Sequence, residues 1–175
     1  MTLIKAAIGA AFISLSGLIT LTGGKWTTYR KMGEDAVDKA ILLAGLPERK
    51  SITENLMIHS FSQNASLDDP KSVYGTDVLE LENIIDEDQS NAELLSEELQ
   101  ISRAQVVLAV REEMARTAED FLARRTRALF LDARESINMC QNVAEIMAKE
   151  LSYGDDWIKN QVEQYTVLAQ GYYLE

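Results

Sequence analysis

Gly23-Gly24-Lys25, followed by Thr27, is the place in this sequence where neighbouring residue types best suit chemistry. It sits inside Leu18-Ile-Thr-Leu-Thr-Gly-Gly-Lys-Trp-Thr-Thr-Tyr-Arg-Lys-Met-Gly33, which reads as a short apolar strand, a Gly-Gly turn and the first turns of a helix. Glycines ahead of a helix leave backbone N–H groups at its positive end, and Lys25 adds a full charge beside them. Such a corner suits a phosphate or the electron-rich carbonyl of a cofactor ring. Glycine is also what allows a flat ligand to lie against the main chain. A tight turn with a solvated lysine fits the same spacing equally simply, and spacing alone favours that turn.

Other chemistry is harder to place. Neither G-x-G-x-x-G nor G-x-x-x-x-G-K-[ST] occurs, so these residues do not hold the pyrophosphate of FAD or NAD in the usual way. There is no G-x-S-x-G elbow, and the single histidine, His59, is expected to be a packed, hydrogen-bonded loop residue rather than a general base. One cysteine, Cys140, rules out a disulfide framework and fits a reducing, cytoplasmic compartment. With one histidine and one cysteine no zinc site can form, and no calcium-loop spacing is present. Arg124-Arg125-Thr126-Arg127 follows Glu119-Asp120 by one helical turn. These arginines are expected to pair with the local carboxylates and dock the domain against a neighbouring surface, rather than to grip a phosphate. Asn64-Ala-Ser66 matches a glycosylation sequon, which has meaning only in a secreted protein.

The elements that must position these residues are set by composition and periodicity. A chain of 175 residues with 46% hydrophobic and 26% charged residues is an ordinary globular domain, or one domain with an attached segment. Its net charge of −11 argues against a nucleic-acid surface. The excess lies in residues 51–100, with one basic and twelve acidic side chains, which read as a solvated face. Ala6 to Leu21 is nearly uncharged and resembles a signal peptide or membrane anchor. Phe12-Ile-Ser-Leu-Ser16 and Leu18-Ile-Thr-Leu-Thr22 nevertheless alternate apolar and hydroxyl residues around Gly17, so a buried β-hairpin is the expectation.

The helix entered at Gly24 carries Ala36, Val37, Ala40, Ile41 and Ala44 on one face that should be buried, ending at Gly45 before Pro47. A long loop follows to about Ser72. Val78, Leu81, Ile84 and Ile85 predict a short acidic helix. Capping boxes at Ser90–Glu93 and Ser102–Gln105 predict a short helix to about Leu99, then a longer one bearing Val106, Val107, Val110 and Met114. Thr117 and Asp132 are further N-caps, with Leu129-Phe130-Leu131 as an apolar plug between them. Ile137, Cys140, Val143, Ala144, Met147 and Leu151 form one stripe, and Trp157, Ile158, Val162, Tyr165, Leu168 and Ala169 another after Gly154. The expected fold is mainly α, a helical bundle with a β fragment in front.

Thr22-Gly-Gly-Lys-Trp-Thr-Thr-Tyr-Arg-Lys-Met-Gly-Glu-Asp35 resembles a signature near the C-terminal end of FAD-dependent, quinone-linked glycerol-3-phosphate dehydrogenases. Gly33 stands where that signature usually has alanine. Val110-Arg-Glu-Glu-Met-Ala-Arg-Thr-Ala-Glu-Asp-Phe-Leu-Ala-Arg-Arg-Thr-Arg-Ala-Leu-Phe-Leu-Asp-Ala133 is similar to the family's C-terminal helical domain, and Val143 to Leu151 and Trp157 continue the likeness. The resemblance implies residues 1–24 as a β-strand remnant of the flavin domain and residues 25–175 as the all-α C-terminal domain. It implies oxidation of sn-glycerol 3-phosphate to dihydroxyacetone phosphate, with electrons passing through FAD to membrane quinone. On this carry-over Gly23, Gly24, Lys25 and Thr27 lie at the pyrimidine edge of the flavin, where Lys25 stabilises negative charge on the reduced ring. The N-terminal FAD-binding half, with most of the substrate site, is missing from this sequence, so turnover is expected only when that half is supplied. The resemblance also implies peripheral placement on the cytoplasmic membrane. The alternative reading is a non-catalytic helical interaction module anchored by its apolar N-terminal segment.

Overall fold

A computed structural model of the chain describes residues 10–63, 66 and 68–173, in two compact units that divide between His59 and Ser60. Asn64 of the sequon and the start of the apolar run, before Ala10, lie outside the described residues.

In the first unit, β1 (Ala10–Ile13) and β2 (Ile19–Thr22) form an antiparallel hairpin, with Ala10 opposite Thr22 and Ile13 opposite Ile19. Gly17, at φ 85°, supplies the left-handed turn residue and donates its N–H to the Ser14 carbonyl at 3.0 Å. The expected hairpin forms, but β1 starts two residues and ends three residues earlier than the Phe12–Ser16 run that alternation marked, and the hairpin is not buried within its unit. Phe12 is 59% exposed and Leu18 is 65% exposed, because a two-stranded ribbon is too narrow to enclose its own side chains. Helix α1 (Tyr29–Ala44) packs on both strands and ends at Gly45, whose left-handed φ of 62° lets its N–H cap the Ile41 and Leu42 carbonyls. The predicted buried face of α1 is also corrected. None of its residues is buried, Val37 being 57% exposed, since the unit is too thin to cover a helix.

The second unit holds all the described core. A 3-10 segment, Pro70–Asp77, leads into α2 (Val78–Glu87), which turns Leu81 and Ile84 inward. The Ser60 carbonyl accepts the Thr76 N–H at 3.2 Å and the Ser60 hydroxyl donates to Asp77, closing this loop. The helix expected from Ser90 to Leu99 is absent. Asp88 instead caps a short 3-10 turn, Gln89–Ala92, and the chain then pairs β3 (Leu94–Ser96) with β4 (Ile101–Ser102). The local capping box at Ser90 is outweighed by burying Ser96 and Ile101.

The Ser102–Gln105 box does open a helix, α3 (Arg103–Arg111), whose residues Ala104 to Val110 are all buried. Met114 falls outside it, left-handed at φ 57° and exposed, because the chain turns back through Ala115 N–H to the Ala109 carbonyl at 2.9 Å. Thr117 and Asp120 cap each other's backbone reciprocally at 3.1 and 3.0 Å, opening a π-helical segment, Asp120–Arg125. Of the expected plug on α4 (Ala128–Leu131), Leu129 is buried, but Phe130 and Leu131 are exposed. So short a helix has only one side against α5.

Asp132 caps α5 (Ala133–Leu151) through the Glu135 N–H at 2.9 Å, and α5 packs on α3 and on α6 (Asp155–Gln170). Met139, Cys140, Val143 and Met147 are fully enclosed. Polar groups between these helices are matched, Tyr165 donating to Ser136 Oγ at 2.9 Å, Ser136 to the Ala133 carbonyl at 2.7 Å, and Ala118 N–H to Gln161 Oε1 at 3.0 Å, whereas the buried Arg103 Nε has no partner among the described residues. Among the described residues no helix is long and apolar enough to cross a membrane.

Candidate functional site

Gly23 and Gly24 both have left-handed backbones, φ 76° and 96°, a conformation that glycine adopts without strain. They swing the chain out of β2 and into Lys25, which is extended at φ −136° and caps a 3-10 turn, Trp26–Thr28. The α-helix proper therefore starts at Tyr29 and not directly after the glycines. Within the turn, Thr28 N–H donates to the Lys25 carbonyl at 2.9 Å, as does the Thr28 hydroxyl at 3.0 Å, while Lys25 N–H donates to Thr28 Oγ1 at 2.9 Å. The first N–H groups of the turn, at Trp26 and Thr27, have no acceptor inside it.

Charge is distributed sharply along the next turns. Arg30 and Lys31 are held by Glu34 at 2.5 and 2.6 Å, and Lys31 also by Asp35 at 3.1 Å. Hydrogen bonds from Lys31 and Arg30 hold the Glu34 carboxyl down to about 2. Among the described residues Lys25 has no carboxylate partner, and its side chain is exposed. Lys25 is thus the cation of this stretch left to meet an external anion. Trp26, 86% exposed, stands beside it with its ring 5.4 Å from that of Tyr29.

The four residues singled out by sequence, Gly23, Gly24, Lys25 and Thr27, lie on this one turn. Two more shape it. Thr28 closes the ring of hydrogen bonds, and Met32 fills the space beside Gly24, where an added Cβ would lie 2.1 Å from its Sδ. Thr28 was legible as a hydroxyl three residues after Lys25; the Met32 contact depends on helix geometry and carries no sequence signal. His59, expected to be packed, lies in an exposed turn at the end of the first unit.

The arginine run is engaged locally, as its spacing implied. Arg124 pairs with Glu119 at 2.6 Å and Asp120 at 3.1 Å, Arg125 lies 4.0 Å from Glu113, and Arg127 rests over the Phe130 ring at 5.9 Å.

Comparison with known proteins matches residues 19–157 to the family model described as the C-terminal domain of alpha-glycerophosphate oxidase. A mitochondrial glycerol-3-phosphate dehydrogenase of Arabidopsis thaliana is 32% identical over 178 residues, covering 85% of this chain and 28% of the plant protein. The mitochondrial enzyme of Rattus norvegicus is 30% identical, covering 92% of this chain and 24% of its own length. That of Saccharomyces cerevisiae is 30% identical, with 82% and 28% covered. The chain thus spans roughly a quarter of the length of the curated relatives it matches. No solved structure matches it. With the family model covering most of the sequence, from β2 into α6, the chain belongs to the family of the C-terminal domain of alpha-glycerophosphate oxidase.

Proposed function

We propose that this chain is the C-terminal part of an FAD-dependent glycerol-3-phosphate dehydrogenase and contributes one rim of the flavin site. The observation that carries the reading is the turn at Gly23–Thr28, where an exposed Lys25 with no carboxylate partner among the described residues and two N–H groups with no acceptor inside the turn meet on a glycine-bent backbone. These residues fit the electron-rich edge of an isoalloxazine ring. They do not fit its ADP half, for which this sequence has no glycine-rich phosphate loop. Bound FAD supplies the hydride acceptor and the route for electrons to quinone. Gly23 and Gly24 keep the backbone bare so that a flat ring can approach. Lys25 and the N–H groups of Trp26 and Thr27 place positive charge where the ring becomes negative. The remaining partners of the reading are the N-terminal FAD-binding half, glycerol 3-phosphate and membrane quinone, with the protein cytoplasmic and peripheral on the cytoplasmic membrane. The chain alone turns over no substrate.

Lys25→Met in the complete enzyme tests the role. Flavin reduction in single turnover should slow by about 100-fold to 1,000-fold, the cost of removing one group that stabilises developing charge. The KM for glycerol 3-phosphate should change far less. A change confined to KM would remove Lys25 from the flavin edge.

A further inference from the structure

We propose that Thr28 is a positioning residue for the flavin edge, its hydroxyl holding Lys25 in the orientation from which the ammonium meets the reduced ring. The inference rests on the reading above, that Lys25 lies at that edge. The direction taken by the Thr28 hydroxyl is the observation that carries it. Thr28 is the N-cap of α1, where a threonine hydroxyl ordinarily accepts a backbone N–H from two or three residues further on. Asp132 does this for α5, accepting the Glu135 N–H at 2.9 Å. The Thr28 hydroxyl makes no such bond and is spent backwards instead. It accepts the Lys25 N–H at 2.9 Å and donates to the Lys25 carbonyl at 3.0 Å, so one side chain engages both backbone polar groups of the lysine.

Lys25 needs such a hold because of what precedes it. Gly23 and Gly24 are both left-handed, at φ 76° and 96°, and a pair of glycines leaves the chain freer than any other pair of residues. The flexible four-carbon stem of lysine adds to that freedom, so on an unheld backbone the ammonium would sweep a wide arc. Two contacts remove the freedom of the hinge. Met32 backs Gly24, where an added Cβ would lie 2.1 Å from its Sδ, and the Thr28 hydroxyl lies 3.6 Å from that same sulfur. On the far side of Lys25, the Thr28 N–H repeats the bond to the Lys25 carbonyl at 2.9 Å. The Thr28 hydroxyl is the group common to both ends of the clamp. A cation fixed before the reaction stabilises an anionic ring best, because nothing has to reorganise when the charge forms.

Redox titration and single-turnover reduction of the complete enzyme test this with two variants. Thr28→Val keeps the branched shape without the hydroxyl, and Thr28→Ser keeps the hydroxyl. Thr28→Val should slow flavin reduction by glycerol 3-phosphate about tenfold. It should also lower the midpoint potential of the flavin by about 30 mV, a tenfold change in a two-electron equilibrium. Thr28→Ser should match the parent in both, and the KM for glycerol 3-phosphate should stay within about twofold in either variant. Lys25→Met is the reference. Combining Thr28→Val with Lys25→Met should give the potential of Lys25→Met alone, since no charge is left to position. Thr28→Val equal to the parent, Thr28→Ser as impaired as Thr28→Val, or a loss confined to KM would overturn the proposal, while a lowered potential in Lys25→Met would still uphold the flavin edge. A double variant lower than Lys25→Met by the full Thr28→Val shift would overturn it too, because Thr28 would then act on the fold and not through Lys25. If Lys25→Met itself keeps the parent potential, the flavin-edge reading falls and the role of Thr28 falls with it.

Discussion

Ser136 and Tyr165 differ in what each loses when its partner is removed. Ser136 donates to the Ala133 carbonyl and accepts from Tyr165, so its hydroxyl has two partners, while the enclosed Tyr165 hydroxyl depends on Ser136. Ser136→Ala should leave that hydroxyl buried and unsatisfied, costing about 1–3 kcal/mol, whereas Tyr165→Phe should cost only about 1 kcal/mol for the lost bond. Urea unfolding of the two variants checks the order, and equal midpoint shifts would show that water reaches the site. At the glycine turn the residue types were legible in the sequence and the hydrogen bonding was not. Gly23, Gly24 and Lys25 announce a charged backbone corner by type alone. That Lys25 N–H is already taken by Thr28, leaving Trp26 and Thr27 to offer theirs, follows from the 3-10 geometry that precedes α1.

Among the elements, the loop that enters α2 is the most constrained. Gly75 has φ 54°, and a Cβ there would lie 1.7 Å from the Ser60 carbonyl oxygen, a backbone atom that cannot swing away. Gly75→Ala should therefore destabilise the second unit by more than about 1 kcal/mol and break the Thr76 to Ser60 bond. The Thr76 amide would lose its exchange protection, and a variant as stable as the parent would show that the loop can reopen without loss. Helices whose stripes meet another stripe were readable: Cys140, Val143 and Met147 on α5 face a core supplied by α3 and α6. Helix α1 has an equally clear stripe, yet periodicity reports only which side could be buried, not whether anything covers it. The Ser90 box failed for a different reason. A capping motif is local, while the pairing of Leu94 with Ser102 is decided by residues that meet only after the turn between them closes.

For the whole molecule, pH acts through the enclosed bundle. Burial pushes the Cys140 thiol and the Tyr74 and Tyr165 hydroxyls up to about 12, so all three keep their protons in the native state well above their ordinary values of 9.0 and 10.0. A group whose folded value is raised contributes stability that is complete below its unfolded value and lost as pH climbs through the folded one. Urea midpoints should hold steady through neutral pH and fall between 9 and 12, and Cys140 should resist alkylation until that fall begins. A native protein alkylated rapidly at neutral pH would contradict the enclosure of α5. The π-helical segment Asp120–Arg125 bears on the same bundle in another way. Each of its hydrogen bonds spans one residue more than in an α-helix, so it can lose a residue by reverting to α geometry while both its ends stay in place. A one-residue deletion should therefore be absorbed within Asp120–Arg125, where Arg124 and Arg125 are exposed. A variant lacking one residue of this segment should keep the exchange protection of α5 and α6, and its loss would show that the π geometry is required.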